Sequence, residues 1–156
     1  MAVAQSTNWS RIIRQAIIAG VVGAIAIHLF LYVVAVLPTH GSIITLWQWI
    51  ASVAFGKWIL TNPLSTWIGL AVHFFVSIAW AGGYAFLAST RPYMNQRWPI
   101  SGLAYGLIIF FFMQLMLLAV NAEHPSEATG FAIAIIACSV FYGLPVAYTV
   151  SRLDRA

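Results

Sequence analysis

Residues 64–89 read LSTWIGLAVHFFVSIAWAGGYAFLAS, a run without a single Asp, Glu, Lys or Arg. A helix of that length rises about 39 Å at 1.5 Å per residue, enough to cross roughly 30 Å of hydrocarbon. Asn62-Pro63 opens the run as cap and first-turn proline, and Pro92 follows its end. Three further runs are similarly apolar, about 12–37 (with Arg14 near its start, and closed by Pro38), 100–120 and 128–150. Ser126 stands where it can cap the last of them, and Glu127 complements the positive end of its dipole.

The composition agrees. Hydrophobic residues make up 62% of the 156 and charged residues only 6%, against about 25% charged in an average soluble protein. So few charges cannot solvate a globule of this size. The sequence therefore predicts one all-α integral membrane domain over 1–156, with the lipid bilayer as its first partner. A net charge of +4 comes from scattered basic residues that form no patch for nucleic acid. The lone Cys138 excludes an intrachain disulfide.

Charge sets the expected orientation. Arg11, Arg14, Arg91, Arg97, Arg152 and Arg155 fall on one side of four crossings, whereas Lys57, Glu123 and Glu127 fall on the other. By the positive-inside rule both termini are cytoplasmic, in a bacterial inner membrane. The first apolar run is too long for the core of a cleaved signal peptide.

Between the first two spans an apolar segment, about 43–60, presents Thr45, Gln48, Ser52 and Gly56 as one narrow polar stripe. A fifth crossing here would carry Arg91 and Arg97 to the outer side. The segment is expected instead as an interfacial or re-entrant outer helix, with Trp47, Trp49 and Trp58 at headgroup level. Matched spacings (Gly69 with Gly130, Gly82 with Gly143, Arg91 with Arg152) suggest two similar helical hairpins with the outer helix inserted into the first. Gly20 with Gly23, Gly82 with Gly83, and the Gly102/Gly106 pair are expected to bring helices close together. Gly143 and Pro145 are expected to bend the fourth span.

Polar groups inside a bilayer are costly and by default functional. His28, ten residues before Pro38, and His73, ten after Pro63, both lie about 15 Å below the outer surface. Gln114 lies about 10 Å below it, and Tyr32 and Ser77 stand one turn beyond the two histidines. A polar layer of His28, His73, Ser77 and Gln114 is therefore expected, suited to permeation or proton handling by an oligomer. Two other functions stand beside it. One is an accessory subunit of a larger membrane complex, with the Gly-rich helix faces as docking surfaces. The other is a haem b electron carrier ligated by His28 and His73. No cofactor is otherwise expected. Outside the spans, His40, Glu123, His124 and Glu127 are weak candidates for a metal such as Zn²⁺. No Ser-His-Asp grouping, P-loop or intramembrane carboxylate pair is present, so an enzyme is not the expectation.

The run His73-Phe74-Phe75-Val76-Ser77, then Gly83-Tyr84, a basic turn with Pro92 and Pro99, and Gly102 to Gly106 resembles the YagU-like inner-membrane proteins. The resemblance spans His73 to Val120. It implies a small multi-span protein with a long outer segment between the first two spans and an association with acid tolerance. It marks His73, Ser77 and Tyr84 as site positions and implies no substrate.

Overall fold

The computed structural model describes residues 8–120 and 128–155, and every regular element among them is helical. The helices are α1 (Trp9–Leu31), α2 (Ile43–Phe55), α3 (Ser65–Thr90), the single turn α4 (Tyr93–Gln96), α5 (Trp98–Ala119), α6 (Ala128–Ile136) and α7 (Leu144–Arg155). Four stretches are long and apolar enough to cross a membrane: Trp9–Val36, Ser65–Thr90, Trp98–Ala119 and Thr129–Arg155. The first begins before Ile12 because Asn8 caps it, its side chain accepting from the Arg11 backbone N–H at 3.1 Å. The last continues past Val150, so Arg152 and Arg155 sit in its final turn, where cations complement the helix dipole.

Packing follows the logic of lipid, where large apolar side chains gain nothing by hiding and small ones let backbones meet. The buried stripe of α1 is Ile12, Gln15, Ala16, Ala19, Gly20, Gly23 and Ala24, with successive steps of three and one residues. Along this face, whose buried residues from Ala16 to Ala24 are all alanine or glycine, α1 lies against α3, and a Cβ added at Gly20 would run into Ile78. Ile13, Ile17, Leu29, Phe75, Ile100, Phe111 and Leu115 are exposed on the outside. Phe110 turns inward instead and meets Phe131 edge-to-face, so the three phenylalanines of α5 divide between core and lipid.

Both π-helical stretches precede a proline. Residues Tyr32–Val36 before Pro38 and Ala137–Gly143 before Pro145 form wide π-helical turns. The Leu37 N–H reaches back to the Tyr32 carbonyl, and the Leu144 N–H to that of Ser139. Spacing of five absorbs the misfit that proline imposes on the normal ladder. The fourth span thus departs from the regular α-helical ladder up to Gly143, just before Pro145. There α5 comes closest: Gly102 faces the Gly143 carbonyl, and Gly106 faces the backbone of Cys138 and Ser139. The GxxxG pair is spent inside the chain.

The outer segment needs a correction. The helix does not run from 43 to 60; α2 stops at Phe55 because Gly56 takes φ = +90°, a conformation open to glycine. A 3₁₀ turn, Lys57–Thr61, then leads to α3. Trp49 and Trp58 are exposed, but Trp47 is turned into the protein.

One end of the bundle gathers the start of α1, α4 and the end of α7. Arg11 pairs with Asp154 at 3.1 Å, and the Asn95 amide donates to the other Asp154 oxygen at 2.9 Å. Trp9 stacks on Phe86 at this same end.

Candidate functional site

The site is built where α1, α2 and α3 meet. Gly69 on α3 lies under the Trp47 carbonyl of α2, and even a methyl group there would overlap that oxygen. This contact lays α2 across α3 and turns the face containing Trp47 and the fully buried Ala51 inward. The Trp47 indole N–H then donates to Nε2 of His28 at 2.6 Å.

An indole nitrogen only donates, so Nε2 of His28 must accept. The His28 proton therefore sits on Nδ1, 3.3 Å from the Ala24 carbonyl one turn back. Both ring nitrogens of His28 are committed, and its tautomer is set. His73 meets this ring edge-to-face, with centroids 4.1 Å apart. Nε2 of His73 is buried with no partner.

The equal depth predicted for His28 and His73 thus becomes direct contact. The predicted polar neighbours on their own helices play other parts. Ser77 is buried, and its backbone carbonyl accepts from the Tyr142 hydroxyl at 2.5 Å. Tyr32 lines the same cavity as His28 but makes none of its hydrogen bonds. Gln114 has a buried amide nitrogen without a partner. The four-residue layer is therefore realised as one histidine pair, with Ser77 tied by its backbone to the last span.

Two residues that complete the site were not singled out by sequence: Trp47, read as a headgroup anchor, and Tyr142. For Trp47 the available signal was Ala51, a small residue one turn on, together with Gly69 opposite. Of the possible outer metal ligands, His40 is exposed in the left-handed conformation that ends the first span. Glu123, His124 and Glu127, like the Ser126 cap, lie outside the described residues. Among the described residues no three His, Cys, Asp or Glu side chains gather to hold a metal.

Haem b would need the two imidazoles on opposite faces of a porphyrin. Here the rings touch, and Nε2 of His28 is taken by Trp47. Gly69, one turn from His73 on α3, is occupied by the α2 backbone. This arrangement does not fit a porphyrin between the histidines.

Comparison of the chain with protein-family models, with curated proteins and with solved structures finds no match.

Proposed function

We propose that this protein is a small non-enzymatic module of the bacterial inner membrane, handling protons through the His28–His73 pair and acting as a homo-oligomer. The observation that carries the reading is the contact between two imidazoles at 4.1 Å, one fully hydrogen-bonded and the other with a spare nitrogen. Imidazole changes charge near neutrality, and ionisable groups inside spans mark proton or ion routes. A proton arriving at Nε2 of His28 would set donor against donor across the Trp47 contact. Protonation is thereby coupled to the seating of α2.

The topology that goes with this reading is two hairpins, α1 with α3 and α5 with the last span. In it α2 rests on the outer surface as an interfacial helix and both termini are cytoplasmic. The Arg11–Asp154–Asn95 cluster, which gathers the arginine-bearing segments at one end, supports it. A single bundle of this size encloses little volume, so permeation belongs to the interface between copies. The resemblance to YagU-like proteins rests within this reading on His73, Ser77 and Tyr84.

The test is flux in liposomes under an imposed pH gradient, followed with an enclosed pH-sensitive dye. The protein should dissipate the gradient faster than empty liposomes, and His28→Phe and His73→Phe should each abolish the difference. Flux indistinguishable from empty liposomes, or unaffected by either substitution, would sink the proposal. If the pure protein is silent and a partner chain co-purifies from native membranes, the accessory-subunit reading replaces it.

A further inference from the structure

Three deeply buried polar groups lack a hydrogen-bond partner: the Gln15 amide nitrogen, the Tyr84 hydroxyl and the Ser139 hydroxyl, on residues only 2%, 0% and 6% exposed. Each belongs to a different span, and none takes part in the histidine pair. An apolar side chain of similar shape at each position would fill the same space without leaving a polar atom unbonded. In folded proteins such atoms bind buried water, each water making about three hydrogen bonds.

Two of the three stand at one level. A Cβ at Gly82 would lie 3.4 Å from that of Ala16, so Tyr84 on α3 and Gln15 on α1 are within a turn of each other in height. Arg11 reaches Asp154, and Gly23 faces Tyr142 and Val146, which puts the buried Ser151 of α7 across from Gln15. Ser101 of α5 approaches the Tyr84 hydroxyl without bonding it. All four spans thus bring a polar group to this level, 11 residues along α3 from His73, or about 17 Å. Counted from His73 near the middle of the hydrocarbon, that is the edge of the layer on the Arg11–Asp154 side.

Hydroxyls mark the interval. Ser139 stands three residues before Tyr142, whose hydroxyl donates to the Ser77 carbonyl at 2.5 Å. Tyr105 donates to the Trp80 carbonyl at 2.6 Å, and its ring centroid is 5.2 Å from that of Tyr84. Both phenols are buried and keep oxygen lone pairs that can accept. Ser77, Trp80 and Tyr84 are separated by about 4.5 and then 6 Å of helix rise. One water making two O–H···O bonds spans about 5.5 Å.

We propose that Ser139, Tyr84 and Gln15 seat a file of single waters that carries protons between His73 and the Arg11–Asp154 end of the bundle. Ser139 and Tyr84 pass protons. Each hydroxyl oxygen takes one from the water before it and releases its own to the water after it, so every group is neutral before and after. Gln15 does not titrate; its amide donates to the last water and holds it in line. Tyr105 and Tyr142 accept from the waters without giving up their bonds to the backbone. Hopping protons need single waters rather than a pore, so the route runs inside one copy, and anything larger still requires the interface between copies. The proposal rests on the histidine pair handling protons and supplies its connection to one face of the membrane.

Two measurements on the full-length protein in liposomes test it. Water-edited solid-state NMR of the unaltered protein should show water magnetisation reaching the Gln15 amide and the Tyr84 ring nearly as fast as the exposed Tyr93. Transfer as slow as to the buried Ala81 would mean a dry interior and overturn the proposal. Proton flux under a pH gradient should fall about tenfold in each of Tyr84→Phe, Gln15→Leu and Ser139→Ala, the rate equivalent of one hydrogen bond lost from the path. Flux abolished by His28→Phe and His73→Phe but unchanged by these three would overturn the water file and leave the histidine reading standing. An unaltered protein that moves no protons would bring down that reading, and the file with it.

Discussion

The indole N–H of Trp47 ends 2.6 Å from Nε2 of His28, although the two residues lie on different helices, α2 and α1. This bond makes Nε2 an acceptor and puts the proton on Nδ1. In ¹⁵N spectra of the membrane-reconstituted protein, His28 should show a protonated Nδ1 and an unprotonated Nε2. In Trp47→Phe the Nε2 signal should move, with a stability loss of about 0.6 and at most ~1.7 kcal/mol, the range for hydrogen bonds between membrane helices. A protonated Nε2 in the unaltered protein would refute the assignment.

Gly69 is the position on which α2 is seated. Gly69→Val places a branched side chain where the Trp47 carbonyl lies, and should cost about 1–3 kcal/mol, as overpacking does. Gly82→Ala is the control, since its added Cβ would sit 3.4 Å from the Ala16 Cβ in ordinary contact. Thermal unfolding in detergent should separate the two. Equal stability would mean α2 is not anchored there.

Tyr142→Phe removes the hydroxyl that joins the last span to the Ser77 carbonyl. The expected loss is again about 0.6–1.7 kcal/mol, because the carbonyl keeps its place in the α3 ladder. Graded unfolding in mixed micelles measures it; no change would show that the bond contributes nothing.

The Arg11–Asp154 pair is partly exposed, at 40% and 30% for the two side chains. Solvent screening limits such a pair, so a double-mutant cycle through Arg11→Ala and Asp154→Ala should return a coupling of about 0.2–1 kcal/mol. Asp154→Ala alone should cost more than Arg11→Ala, because it also strands the Asn95 amide. The reverse order would contradict this geometry.

The proposed orientation predicts which ends meet which compartment. In intact cells a membrane-impermeant maleimide should modify Lys57→Cys, while Arg155→Cys should react only after the membrane is opened. The opposite pattern would invert the topology.

Much of this was legible in the chain. Span lengths follow from uncharged runs such as 64–89, since lipid tolerates so few unpaired charges that the hydropathy pattern and the helix pattern coincide. The equal depth of His28 and His73 follows from counting residues to Pro38 and Pro63, because helix rise is constant. Close approach at Gly102 and Gly106 was readable for the same local reason. The length of the outer helix was not, because nothing but backbone geometry distinguishes Gly56 as a stop at φ = +90° from Gly56 as one more residue in a polar stripe.

What the sequence by itself determined was therefore one-dimensional: which stretches are long and apolar enough to cross a bilayer, how far along its helix each polar residue lies, and which small residues permit contact. Only the tertiary structure decided what stands at the same depth on the same side. It chose Trp47 over Tyr32 as the partner of His28, left Gln114 without a hydrogen bond to either histidine, and opened a seam between α3 and α5. The reason is rotational. Helix rise fixes height, but the angle at which each helix faces its neighbours is set by where backbones come closest, here at Gly69, Gly20 and Gly106, and those contacts involve residues far apart in the chain.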